Sequence, residues 1–326
     1  MKFKQLIFIR SVLTFIVIIN VITFLNAQDR VRNNAVYFYH DNDVFRFKHN
    51  SDQFYSFGLF LGYRQTIKEQ SGFNKAFFFV KNKESSKLLY GANLSVKGFT
   101  PEFEKNLNNA EIRPFAGITV LEQNLSSAQE KRFYSLGLSL GARGQISGAE
   151  WIQDNFHRLI DSPVFEGWEN QLSNKFIYGV SGTYAFSVPV AKWIQIVPES
   201  KAAIGNFQTY LQQGVIIRAG IFNSSLSNTK YYGTNLNNTS KKAKNEYFLF
   251  AKGFGRISLI DTTLGKEAIG NTTNALNKRN RMAGFDFGLM MQSGPVGIRL
   301  SRHLISADSN FSTRHTYGSL GLSYLF

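Results

Sequence analysis

The sequence predicts a single transmembrane antiparallel β-barrel of about 12 strands, with a short helix in one extracellular loop. Segments of roughly ten residues alternate apolar and polar side chains, which is the period of a strand with two different faces. Aromatic residues make up 15% of the chain, beside 27 glycines and only six prolines. Such a composition suits a wall with lipid-facing rings and tight corners. No run beyond Ala27 reaches the ~20 apolar residues of a spanning helix, so any membrane crossing falls to strands.

The first element is an export signal. Met1-Lys-Phe-Lys4 is a basic leader, an apolar run follows from about Leu6 to Leu25, and Leu25-Asn-Ala27 ends it on a small residue. Residues 1–27 therefore read as a cleaved signal peptide and 28–326 as the barrel domain. Cysteine is absent, which excludes disulfides and a lipidated N-terminus, and the strand ladder must supply the stability.

Strands are expected at about 34–40, 54–65, 87–97, 112–121, 132–143, 175–188, 193–205, 210–222, 246–258, 281–292, 296–306 and 315–326. In the second, Tyr55, Phe57, Leu59, Leu61 and Tyr63 share one face and Ser56, Gly58 and Gly62 the other. The last, Tyr317-Gly-Ser-Leu-Gly-Leu-Ser-Tyr-Leu-Phe326, ends on Phe and resembles the strand by which outer-membrane barrels are recognised for assembly. Residues 66–85 are long for a turn and contain Ala76-Phe-Phe-Phe-Val80, a candidate extra strand. An even strand number puts both termini on the periplasmic side. The ends of strands one, three and five then share the outer rim.

One stretch breaks the period of two. From about 149 to 161, Trp151, Ile152, Phe156, Leu159 and Ile160 recur at helical spacing. On that helix Gln153 and His157 are one turn apart and project from one face. Strand parity puts them on the same rim as Asn42, Asp43 and Ser56.

The formal charge is +15. Removing Lys2, Lys4 and Arg10 leaves 34 basic against 22 acidic residues, or +12. Export argues against nucleic acid as the partner, and lipopolysaccharide phosphates are the anions that Lys241-Lys-Ala-Lys244 and Asn277-Lys-Arg-Asn-Arg281 could attract.

Histidine is the side chain suited to general-base work near neutral pH. Asp43 and backbone-rich turns would suit calcium, a hard cation that polarises an ester carbonyl. Both an activated water and a Ser56 nucleophile deprotonated by His157 stay open, although no G-x-S-x-G elbow is present. His40, His49, His303 and His315 have no partner spacing in the sequence and read as surface or lumen residues. Four Asn-x-Ser/Thr triplets, beginning at Asn124, Asn223, Asn237 and Asn271, read as chance matches in polar segments.

Asn42-Asp43-x-Phe45, Asp52-Gln-Phe-Tyr-Ser56-Phe-Gly58, Arg113-Pro-Phe-Ala-Gly117, and Gly141-Ala-Arg-Gly144 running through Gln153-x-x-x-His157 to Gly167-Trp168-x-x-Gln171-Leu172 occur in order. Together they resemble the outer-membrane lipid A 3′-O-deacylase family over about residues 34–172. The resemblance implies a monomeric 12-stranded barrel with a calcium-dependent site between its outer rim and a loop helix, removing the 3′ acyloxyacyl chain of lipid A. Carried over by motif, His157 is the base, Gln153 its helical neighbour, and Asn42, Asp43 and Ser56 the rim contribution. Asp43 and Glu166 are the implied metal ligands, with Asp161 the alternative to Glu166. Ser56 stands where the family also has Thr, Gln53 where Arg is usual, and Phe115 where Tyr is common. The rival classes are a non-enzymatic porin or structural barrel and an outer-membrane phospholipase.

Overall fold

The computed structural model describes residues 33–42, 54–67, 87–101, 113–129, 131–164, 166–223, 226, 245–264, 280–308 and 314–326. The signal segment, residues 66–85 beyond Ile67, and Asp43 fall largely or wholly outside that set. Thirteen strands run β1 (Asn34–Asn42), β2 (Phe54–Ile67), β3 (Lys87–Thr100), β4 (Ala116–Ala128), β5 (Arg132–Arg143), β6 (Lys175–Phe186), β7 (Val188–Ala191), β8 (Ile194–Gly205), β9 (Gln208–Ile221), β10 (Glu246–Asp261), β11 (Arg281–Ser293), β12 (Val296–Ile305) and β13 (His315–Leu325). The helix α1 (Ala149–Leu159) follows β5.

Twelve of the strands close a barrel. Each pairs antiparallel with its neighbours, β1 joins β13, and β6 joins β8 across the four-residue β7, which pairs only with β8. Closure leaves no unpaired barrel edge, as a strand structure in lipid requires. The expected strand count therefore holds, with β7 as an addition to it. β4 departs most from expectation, beginning at Ala116 and reaching Ala128, because Pro114 has no N–H to give a ladder.

Alternation sorts the wall as the sequence predicts. Leu61, Leu121, Leu140, Phe176, Leu249, Phe287 and Leu322 point outward and exposed. Tyr134 packs on Tyr184 and Tyr324 on Phe326 near the rim that holds both termini, while Phe176 and Tyr178 sit near the other rim. These are the two aromatic girdles of a membrane barrel.

The lumen is charged and crosslinked. Its cavity of about 540 Å³ is lined by Lys97, Lys252, Arg256 and Arg299 among basic groups and Asp41, Glu122, Asp261 and Asp286 among acidic ones. At the α1 rim Arg113 reaches across to Asp308 and donates to Thr263 Oγ1 at 2.8 Å, while Arg143 donates to Thr262 Oγ1 at 2.9 Å. These arginines join the β4 and β5 side of the barrel to the far β10 and β12 side, so side chains span the opening that a porin would keep clear.

His303 has partners that the sequence could not show. Its Nδ1 lies 2.8 Å from Asp286 Oδ1, its Nε2 lies 2.9 Å from Ser319 Oγ, and Ser319 donates to Asp41 Oδ1 at 2.5 Å. The spacing is that of a serine triad, but the one Ser319 proton is directed to Asp41, and both neighbouring strands engage β13 in ladders. The network is a latch across the β13–β1 seam. We expect Ser319→Ala to lower unfolding stability by about 1–3 kcal/mol, the cost of an acceptor left unsatisfied. Urea titration of the folded barrel measures it, and an unchanged midpoint would remove the latch role.

Candidate active site

α1 lies against the outside of the wall. Ala149 packs with Phe57, Phe115 and Trp168 in one buried cluster, with Ile152, Leu59 and Val96 beside it. An added Cβ at Gly117 would stand 2.9 Å from the Ala149 Cβ, so glycine at this β4 position permits the close approach of the helix. At the other end of α1 the Phe156 ring meets His40 of β1 edge-on at 5.6 Å. The helix therefore crosses from β4 over β2 and β3 to β1.

Its wall-facing side is mixed: Ala149, Ile152 and Phe156 pack there, with Gln153 and His157 buried among them, whereas Trp151 and Leu159 turn away. A helix on a soluble protein would carry polar residues at those outward positions.

A bulge delivers Ser56 to this surface. β2 and β3 pair Tyr55 with Phe99 and then Phe57 with Gly98, leaving Ser56 extra. The expected alternation consequently fails at one residue: Tyr55 points into the lumen, donating to Asp41 Oδ2 at 2.9 Å and packing against Tyr317. The hydroxyl of Ser56 instead lies 2.6 Å from Thr100 Oγ1 and is fully buried. Thr100 follows the lumen-facing Phe99, so it and Ser56 belong to the outward side. Asn42 is the register partner of Phe57, shares its face and is buried too. Asn42 and Ser56 thus lie on the outward side of the wall, the side toward which Gln153 and His157 of α1 turn.

The segment after α1 locks the helix. Asp161 has φ +60°, which turns the chain back, and Ser162 N–H donates to His157 O at 2.8 Å. His157 Nδ1 then sits 2.6 Å from Pro163 O. A carbonyl only accepts, so in this contact Nδ1 donates to Pro163 O and fixes the orientation of the ring. Trp168 Nε1 donates to Gln153 Oε1 at 3.1 Å, Gln171 Nε2 donates to Glu150 Oε2 at 3.1 Å, and Leu172 N–H donates to Phe115 O at 2.9 Å. Gln153 is therefore held by the framework that docks the helix. No spacing in the sequence pointed to Pro163 or Thr100 as partners, because both contacts arise from how the turn and the bulge fold.

The profile of the family described as "Outer membrane protein LpxR" matches residues 11–326. The chain belongs to the LpxR family. Among solved structures, "LpxR from Salmonella typhimurium" superposes with TM-score 0.70 at 20% identity, covering 90% of this chain and 100% of that one. The β domain of the Bordetella autotransporter BrkA aligns at TM-score 0.48 and 8% identity over 91% and 100%. No curated protein sequence matches. Family and barrel together make this an outer-membrane protein, and they bear out the resemblance carried by the ordered motifs.

The implied metal ligands divide. Asp43 lies outside the described residues, Glu166 and Asp161 are both exposed, and no group of three His, Cys, Asp or Glu side chains gathers among the described residues. The donors that do face the cleft, Asn42 and Ser56, offer oxygen and no sulfur, a set that fits a hard cation once a carboxylate joins it. Of the basic clusters, 241–244 belongs to the β9–β10 connection, whose strands end at the rim opposite α1, and 277–281 to the β10–β11 connection at the α1 rim.

Proposed function

We propose that this chain hydrolyses the 3′-linked acyloxyacyl ester of lipid A in lipopolysaccharide, as a monomeric enzyme whose α1 rim faces the cell exterior. The observation that carries the reading is His157: buried between α1 and the wall, with its ring oriented through Nδ1 by Pro163 O.

His157 Nε2 takes a proton from water, and that oxygen attacks the ester carbonyl carbon. The C–O bond to the leaving hydroxyl then breaks as His157 returns the proton to it. Asn42 offers an amide to the developing oxyanion. Ser56, tied to Thr100, keeps its hydroxyl at the cleft wall, and Gln153 with Trp168 fixes the helix that carries the base. Calcium, held by Asp43 and Glu166 with the neutral oxygens beside them, would polarise the carbonyl when bound.

The test is mass spectrometry of lipid A from cells expressing the protein. A species lighter by the 3′ acyloxyacyl group is expected, and its absence alongside released phospholipid fatty acid would favour a phospholipase. Chelation by EGTA should abolish the shift and added calcium restore it; activity that survives chelation would remove the metal. Ser56→Thr should keep most activity, since it keeps the hydroxyl, whereas Ser56→Ala should lose roughly tenfold or more, as removing one positioned polar group does. Equal rates for Ser56→Ala and the wild type would take Ser56 out of the site.

A further inference from the structure

α1 carries large apolar side chains on its outward face as well as on the face that packs against the wall. Trp151 is 70% and Leu159 78% exposed, two turns apart on the face away from the wall, with Ile146 at 62% just before the helix. Between them Asn155 turns its amide back, donating from Nδ2 to Trp151 O at 2.7 Å, so the polar group on that face is consumed by the helix itself. Val164, past the helix end, is exposed as well. On the barrel, Phe176 and Tyr178 of β6, which begins at the same rim, and Leu140 of β5 are all more than half exposed.

We infer that the outward face of α1 is immersed in the acyl region of the lipid leaflet at this rim. The occupant is lipid because α1 lies on the same outward side of the wall as the lipid-facing band, and because Trp and Leu beside an exposed Arg158 make the composition of an interfacial helix. Arg158 is long enough to snorkel to the head groups while Leu159 stays in the chains. α1 is then a lid resting in the membrane, and the cleft beneath it opens sideways into the leaflet. An acyl chain reaches His157 along the wall without leaving hydrocarbon. This last step rests on the deacylase reading; the immersion does not.

Three tryptophans allow a direct test. Trp168 is buried and Trp193 is exposed at the opposite rim, so the difference between wild type and Trp151→Phe isolates Trp151 emission. In vesicles of lipids brominated in the upper half of the acyl chain, that component should lose about half its intensity and be shielded from aqueous iodide, as for an interfacial tryptophan. Iodide quenching as strong as in detergent, or protection from both quenchers by a second copy that crosslinks through this face, would overturn the immersion. In parallel, Trp151→Glu with Leu159→Glu should slow hydrolysis of vesicle-embedded lipid A roughly tenfold, leaving detergent-dispersed lipid A unaffected, as expected when only membrane docking is lost. Equal loss in both assays would overturn the lid role. A wild type inactive in both would instead refute the deacylase reading, with the fluorescence result standing by itself.

Discussion

His157→Ala removes lipid A deacylation, by roughly a hundredfold to ten-thousandfold for loss of a general base, and leaves the barrel folded. The expectation follows from where the residue sits. His157 belongs to α1, outside the closed ladder of twelve strands, so its loss opens no strand pairing. Its Nδ1 is engaged by Pro163 O, and the proposed proton transfer falls to Nε2. His157→Gln is the sharper control, because its amide can still donate to Pro163 while having no basic nitrogen. Initial rates by mass spectrometry, with heat-modifiability on gels as the folding check, decide the matter. A His157→Gln protein as active as wild type would show that the ring only positions the turn.

Trp168→Ala undocks α1 from an intact barrel. Trp168 is 1% exposed, meets the Phe115 ring at a tilt with centroids 5.1 Å apart, packs with Phe57 and Ala149, and donates to Gln153. Losing a buried ring of this size costs about 3–5 kcal/mol. Here that cost falls on the docking of one helix, shifting its equilibrium by roughly two to four powers of ten. Activity should fall accordingly, and trypsin should cut at Arg158, which the docked helix protects. Trp168→Phe keeps the ring and loses one hydrogen bond worth about 1 kcal/mol, so it should recover most of the activity. Unchanged proteolysis and rate in Trp168→Ala would mean that the strand-side contacts of Gly117 and Phe156 hold α1 unaided.

The barrel was legible because each strand faces two different solvents, and a period of two is written wherever that holds. Parity alone then put the 149–161 helix at the rim shared by Asn42 and Ser56. The porin alternative loses ground only when the Arg113 and Arg143 crossings are seen, since contacts between residues 263 and 113 or 262 and 143 leave no trace in local spacing. His303 is the same case: its acid and its hydroxyl come from adjacent strands, 17 and 16 residues away in sequence.

By itself, then, the sequence determined the closed barrel, the position of α1 and the ordered motifs that bring His157 into view. Only the tertiary structure decided which way that helix faces. Periodicity groups Trp151 with Leu159 and Gln153 with His157, but it does not say which group is covered. Trp151 and Leu159 look outward, and the polar pair is shut in beside Ala149, Ile152 and Phe156. The bulge at Ser56 is likewise a one-residue slip in register, and it moves Tyr55 into the lumen and Ser56 to the cleft. Such a slip depends on what β3 offers opposite, which no stretch of β2 contains.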